Sequence, residues 1–236
     1  MTSYTFTLNG ATLTALPSGA LYWPDQNLLA VSDLHFGKAE RLARRGGTLL
    51  PPFDTRETLS RLDQDIATIN PSSVICLGDS FDDLDAASAL PEDDRLWLSR
   101  LMAGRDWIWV LGNHDPAPIN LGGTHRADLT VARLTFRHVA DPAQSGEISG
   151  HYHPKARIAG QSRACFLLDQ SRLIMPAYGA YTGGLWCDHP SLTAVMRPTA
   201  LAILIGPRAI PIPMPREWKN AKKGGQTARL PSWNPS

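Results

Sequence analysis

The sequence predicts a layered α/β domain, and three observations carry that reading. Short apolar runs bounded by turn residues recur along the chain, stretches with helical periodicity lie between them, and clusters of Asp, His and Gly stand immediately after several of the runs. The first two describe strands and helices that cover one another. The third places chemistry at one edge of a sheet.

Taken in order, Ala20 to Trp23 and Leu28 to Ser32 read as strands, and Lys38, Arg41, Arg44 and Arg45 follow on a helical stretch. The clearest helix runs from about Arg56 to Asn70. Leu59, Leu62, Ile66 and Ile69 share a face, Asp54 with Glu57 three residues on resembles a capping box, and Pro71 ends it. Ser73 to Leu77 is a strand. A second helix spans Glu92 to Met102, with Leu96 and Leu101 expected inward and Asp93 and Asp94 at its positive end. Strands are expected at Trp107 to Leu111, Leu129 to Val139 and Ile148 to Gly150. Ala164 to Leu168 and Arg172 to Met175 read as a hairpin, and Leu192 to Met196 and Leu201 to Ile205 as further strands of a second sheet packed on the first. From Gly206 the chain turns Pro-rich and basic, with six basic residues against Glu217 alone. The expected organisation is one domain over 1–205 and a mobile tail over 206–236. No internal repeat is present.

The chain of 236 residues is long enough for a substantial core, and its net charge of +1 selects no partner. Cys76, Cys165 and Cys187 are an odd number without metal-like spacing, which argues against a disulfide framework or a zinc ribbon and for three reduced thiols. No charged-then-apolar leader opens the chain, and no apolar stretch approaches the roughly 18 residues of a membrane span. A soluble, cytoplasmic protein without membrane contact is expected.

Five segments bear ligand-type residues: Asp33-x-His35, Gly78-Asp79, Gly112-Asn113-His114-Asp115, His138, and Gly150-His151-Tyr152-His153. Four of them start where a predicted strand ends. In α/β sheets ligands bind at the carboxyl ends of strands, so this topology brings together what is distant in sequence. Two divalent cations need about eight protein donors with one carboxylate between them, and these segments supply about that number. Such a pair neutralises phosphate oxygens and lowers the pKa of water, which is the help a phosphate ester needs. Asp79, alone after its strand, is the candidate bridge. Asp33, His35 and His153 would complete one cation's ligands, and Asn113, His138 and His151 the other's. Carboxylate, imidazole and amide donors without thiolate suit manganese, iron or zinc, with manganese the working choice. His125 and His189 belong to no motif and read as loop or surface histidines.

These motifs, in this order, resemble the calcineurin-like metallophosphoesterases, whose fold is a sandwich of two packed mixed β-sheets flanked by helices. A closer similarity is to the bacterial ligase-associated DNA damage response endonucleases of the PdeM type. It rests on Asp33-Leu34-His35-Phe36-Gly37-Lys38, Leu50-Pro51-Pro52, Leu77-Gly78-Asp79-Ser80-Phe81, the run from Gly146 to Ala156, and Met175 to Gly184. It spans about residues 5 to 200 and does not reach the tail. The resemblance implies a dinuclear-metal phosphodiesterase, a DNA endonuclease acting in repair on single-stranded or gapped DNA, with DNA ligase or helicase partners. It makes His114 the residue that faces the leaving group or a phosphate oxygen, with Asp115 orienting its ring. The chain departs from the closer family at Asp82, where a histidine is usual, a change expected to alter hydrogen bonding around the metals rather than their number.

Lys38, Arg41 and Arg45 would share a helix face near the metals and are candidates for receiving flanking phosphates; a solvated face with Glu40 as partner is the competing reading. The tail, with Trp218 and Trp233 among its basic residues, reads either as a solubilising segment or as a second DNA contact. A phosphomonoesterase or small-nucleotide hydrolase on the same metals is the alternative function. A non-catalytic module would show damaged ligands, and none of the expected ligands is missing.

Overall fold

The computed structural model describes residues 2–44, 46, 53–118 and 120–216. Its first half contains β1 (Tyr4–Leu8), β2 (Ala11–Ala15), β3 (Leu21–Trp23), β4 (Leu28–Ser32), α1 (Lys38–Arg44), α2 (Asp54–Ile69), β5 (Ser73–Leu77), α3 (Leu84–Ser88), α4 (Glu92–Met102), β6 (Asp106–Val110) and β7 (Thr124–Arg126). The second half contains β8 (Asp128–Val131), β9 (Leu134–Arg137), β10 (Glu147–Ser149), β11 (Lys155–Ile158), β12 (Gln161–Leu168), β13 (Arg172–Ile174), α5 (Pro190–Val195), β14 (Leu201–Leu204) and β15 (Ile210–Pro213). Strands β1 to β7 form one sheet in sequence order, antiparallel as far as β4 and parallel from β4 to β7. The second sheet runs β15-β14-β12-β13-β10-β9-β8, with β11 on β12, and only the β9–β10 and β10–β13 pairs are parallel. Both sheets are mixed, as the family resemblance implies.

β4 explains how the layers stack. All five of its residues are buried, because alternate side chains enter different cores. Leu28 and Ala30 join Phe136, Ile148, Phe166 and Ile203 between the two sheets. Leu29 and Val31 face the other way, onto Leu59, Leu62 and Ile66 of α2 and Leu98 and Leu101 of α4. A third core lies outside the second sheet, where Leu192 and Met196 cover Cys165, Leu167 and Leu204. The layers are therefore helix, sheet, sheet, helix. Truncating Leu62, fully buried under the first sheet, would cost about 2–5 kcal/mol.

Several expectations change. Asp54 does not cap α2: it is the first helical residue, Phe53 precedes it without a side-chain cap, and the Asp54 carboxylate accepts from Ala39 N (3.1 Å), joining α2 to α1. Leu96 is 61 % exposed, and Leu98 pairs with Leu101 on the inner face instead. Leu129 to Val139 is two strands, broken at Ala132, whose φ of 50° reverses the chain. Leu192 to Met196 is not a strand but most of α5 and its end, started by Pro190 and by His189 accepting from Ser191 N. The β1–β2 hairpin was not foreseen, although Asn9-Gly10, both at positive φ, is a favoured two-residue turn. Gly206 to Arg216 does not leave the domain, since Ile210–Pro213 forms the edge strand β15 on β14. Arg45, Leu50, Pro51, Pro52, Trp218 and Trp233 lie outside the described residues.

Candidate metal centre

Each ligand segment follows a strand, and backbone hydrogen bonds continue between the loops beyond the strand ends. Asp33 N donates to Gly78 O (3.2 Å), His35 N to Asp79 O (3.0 Å) and Phe36 N to Ser80 O (2.9 Å), so the loops after β4 and β5 run side by side. Gly150 N donates to His138 O (3.0 Å) and joins the loops after β10 and β9. Thus both sheets deliver ligands to one edge.

The glycines in the motifs have a steric reason. A Cβ at Gly78 would strike the His138 ring, one at Gly112 the backbone N and carboxylate of Asp79, and one at Gly150 the Asp33 carboxylate and Ser32 Oγ. The residues beside them carry a conformational cost. Asp33, His35, Asp79, His151 and His153 all lie at positive φ, between 44° and 70°, a region that costs a non-glycine residue about 1–2 kcal/mol. Five strained ligands at one place indicate that the surrounding sheets hold the loops for what they bind.

Three groups of donors gather among the described residues: one joins His35 to Asp82 and His114, and the other two match the sequence assignment. In the first of these two, Asp33, His35 and His153 gather. Asp33 Oδ2 accepts from Ser32 Oγ (2.5 Å) and His151 N (3.0 Å), His151 N also reaches Oδ1 at 3.3 Å, and Oδ1 faces His153 Nε2 at 3.0 Å. His35 Nδ1 is held by Asp82 Oδ1 (2.8 Å), so its Nε2 faces His153 Nε2 at 3.4 Å. In the second set, Asp79, His138 and His151 gather. His138 Nε2 stands 2.9 Å from Asn113 Oδ1, 3.2 Å from His151 Nδ1 and 3.3 Å from Asp79 Oδ2. The sets adjoin, since His138 Nδ1 lies 3.9 Å from Asp33 Oδ1. Asp79, the expected bridge, groups with the second set through Oδ2 beside His138, and Asp33 Oδ1 also comes near that set.

Electrostatics fit bound cations. Burial alone would raise the pKa of Asp33, but His153, His138 and His35 around it hold it down; Asp79 is likewise held well below the usual range against its burial by His138 and His114. Burial pushes His35 and His151 down, toward the neutral imidazole that a metal requires. His138 moves oppositely: against its burial, Asp79 and Asp33 push it up to about 9. Facing lone pairs, ionised carboxylates and no thiolate make a set for two hard or borderline divalent cations.

Around this centre some sequence assignments change. Asp115 does not orient His114. Its carboxylate accepts from Ser80 N (2.8 Å), Phe81 N (3.3 Å) and Gly112 N (3.0 Å), clamping two ligand loops together. Its burial and the charge of Asp79 push it up to about 6. His114 is oriented by the Asp82 carbonyl, which lies 2.8 Å from its Nδ1. A carbonyl only accepts, so Nδ1 carries the hydrogen and Nε2 is left for substrate. The His114 and His35 rings lie edge to face at 5.2 Å. Arg41 does not face an open approach: it pairs with Asp82 Oδ2 (2.7 Å) and reaches Asp83 (3.6 Å), while Lys38 Nζ lies 4.0 Å from Asp82. Arg45 lies outside the described residues. His125 stacks on Trp109 and His189 caps α5, both structural roles. Ser32, which holds Asp33, was missed, although a polar residue closing an otherwise apolar strand was a usable signal.

A model of the calcineurin-like phosphoesterases matches residues 27–235. Among solved structures, the crystal structure of the Pseudomonas putida nuclease MPE is similar, with a TM-score of 0.71 at 25% identity over 89% of this chain and 100% of that one. No curated protein matches the chain.

Proposed function

The chain belongs to the calcineurin-like phosphoesterase family, and from that premise we propose that it is a DNA endonuclease, hydrolysing phosphodiester bonds with two manganese ions. Metal-dependent phosphoester hydrolysis follows from the family and from the two donor sets. The observation that carries the nuclease reading is His114 beside the first donor set, engaged through Nδ1 so that Nε2 is left for substrate, in a fold shared with a solved nuclease. When bound, two divalent cations would neutralise the phosphoryl oxygens and make water a better nucleophile. Asp33, His35 and His153 would hold one, Asp79, Asn113, His138 and His151 the other. With a second proton on Nε2, His114 would give that proton to the leaving alkoxide as the bond from phosphorus to oxygen breaks and return to the Nδ1–H form that the Asp82 carbonyl holds. A role in DNA repair with ligase or helicase partners is supported by the sequence resemblance. Cytoplasmic residence is supported by three free cysteines; among the described residues no helix is long and apolar enough to cross a membrane.

The test is a paired rate, with manganese restored after chelation, on bis-nitrophenyl phosphate and mono-nitrophenyl phosphate, followed by a covalently closed single-stranded DNA circle. Preference for the diester and linearisation of the circle are expected. Preference for the monoester would move the protein to the phosphatases.

A further inference from the structure

Two groups of cations border the donor sets, and they differ in whether carboxylates already neutralise them. On α1, Arg41 is taken by Asp82 and Asp83, and Arg44 by Glu40 (2.7 Å), Asp83 (3.0 Å) and Asp85 (3.3 Å). On β11, Lys155 and Arg157 meet no carboxylate among the described residues. Both instead lie over the Trp186 ring, Lys155 Nζ at 4.8 Å and Arg157 Cζ at 4.7 Å from its centroid. An indole face holds a cation without cancelling its charge. Trp186 is itself fixed: Lys155 N donates to Leu185 O (2.9 Å) and Cys187 N to Lys155 O (2.9 Å), so the segment runs against β11. This segment is applied closely to the metal centre, since a Cβ at Gly184 would strike the carbonyl of His153. Lys155 stands two residues beyond His153, and Arg157 is exposed. Two residues apart on a strand, the two cations share a face at about 6.6 Å between Cα atoms.

We propose that Lys155 and Arg157, braced by Trp186, form a phosphate-binding track that holds the nucleic-acid strand on the His153 side of the scissile phosphate. The proposal rests on the nuclease reading above and adds to it the residues that engage the polymer. The cations first expected to do this, on α1, are neutralised within the protein, whereas those of β11 keep their charge and are held in place. A mononucleotide-sized diester would not reach the track, so the track matters only for a polymer.

The experiment compares the metal-loaded wild type with Lys155→Ala/Arg157→Ala, with Trp186→Leu, and with Arg163→Ala as a control. Arg163 pairs opposite Ala156 and so points to the other face of the hairpin. KM is measured for a single-stranded oligonucleotide as a function of salt, beside the rate on bis-nitrophenyl phosphate. The double variant is expected to raise the oligonucleotide KM at least tenfold and to flatten its salt dependence by about 1.4 in log–log slope, for two lost phosphate contacts. Its small-diester rate stays at the wild-type level, Trp186→Leu raises KM less, and Arg163→Ala changes nothing. Unchanged KM and salt slope in the double variant overturn the track while leaving the nuclease reading intact. Parallel loss of the small-diester rate also overturns it, by assigning these residues to support of His153. A wild type that hydrolyses the small diester but not the oligonucleotide removes the nuclease reading, and the track with it.

Discussion

Asp82 holds His35 from behind: its Oδ1 lies 2.8 Å from His35 Nδ1, while its Oδ2 takes Arg41 at 2.7 Å. The carboxylate fixes the imidazole as the Nδ1–H tautomer and turns Nε2 toward the first donor set. Burial would raise the pKa of Asp82, but the hydrogen bonds from His35 and Arg41 keep it ionised. Asp82→Asn should therefore lower affinity for one of the two metals about 10–100-fold and leave the other unaffected. Metal titration followed by elemental analysis reads this out. Two full occupancies at wild-type affinity would show that Asp82 plays no part in holding His35.

Metal loading should expel a proton. In the metal-free protein His138 has its pKa pushed up to about 9 by Asp79 and Asp33, against its burial, so it is protonated at pH 7 and must lose that proton to become a ligand. Of its companions in the second set, Asp79 is held low and His151 is pushed down by burial, and both are ready to bind. Apparent affinity should rise with pH until about 9 and then level off. Calorimetry in two buffers of different ionisation enthalpy should find release of about one proton at pH 7 and markedly less at pH 9.5. Equal release at both would place the proton elsewhere.

The packing of α2 on α4 carries its own pH dependence. Asp63 accepts from Trp97 Nε1 (2.8 Å) and pairs with Arg100 Nη2 (2.5 Å). Its partial burial would raise its pKa, but Arg100 and Trp97 more than offset this and lower it. A lowered carboxylate contributes stability above its unfolded pKa, about 3.9, and loses that contribution as pH falls through the folded value. Asp63→Asn should cost about 1 kcal/mol at pH 6, discounted for exposure, with the difference shrinking toward pH 3. Urea unfolding of both proteins at the two pH values measures it.

What the sequence disclosed follows from how local its signals are. The strand ends that carry Asp33, Asp79, Asn113 and His151 were legible because β4 and β5 are unbroken apolar runs buried on both faces, and the ligand types stand directly after such runs. Elements short of burial or pattern were not. Thr124–Arg126 is a polar three-residue strand recruited by β6, and Ala132 turns the chain without the glycine or asparagine that announces a turn. Within the site, residue types and order disclosed the ligands but not their supports. That the Asp82 carbonyl rather than the Asp115 carboxylate orients His114 depends on a backbone atom, which no motif displays. The pairing of Lys155 and Arg157 with Trp186 joins positions some 30 residues apart, whereas the α1 cations stand beside a ligand motif in sequence yet are neutralised by acids about 40 residues away.

His114 can be separated from the metals by choice of leaving group. Its Nδ1 is engaged by the Asp82 carbonyl, which leaves Nε2 as the only ring atom able to act on substrate. If it donates a proton, the need for it scales with the basicity of the leaving oxygen. An alkoxide leaving from a DNA diester needs that proton, and a nitrophenolate does not. His114→Ala should therefore retain both metals, lose about 10²–10⁴-fold in kcat on an oligonucleotide, and lose far less on bis-nitrophenyl phosphate. Equal losses on both substrates, with both metals bound, would assign Nε2 to a phosphoryl oxygen instead, because that contact is needed whatever group departs. Loss of a metal would place His114 among the supports of His35, whose ring it meets edge to face.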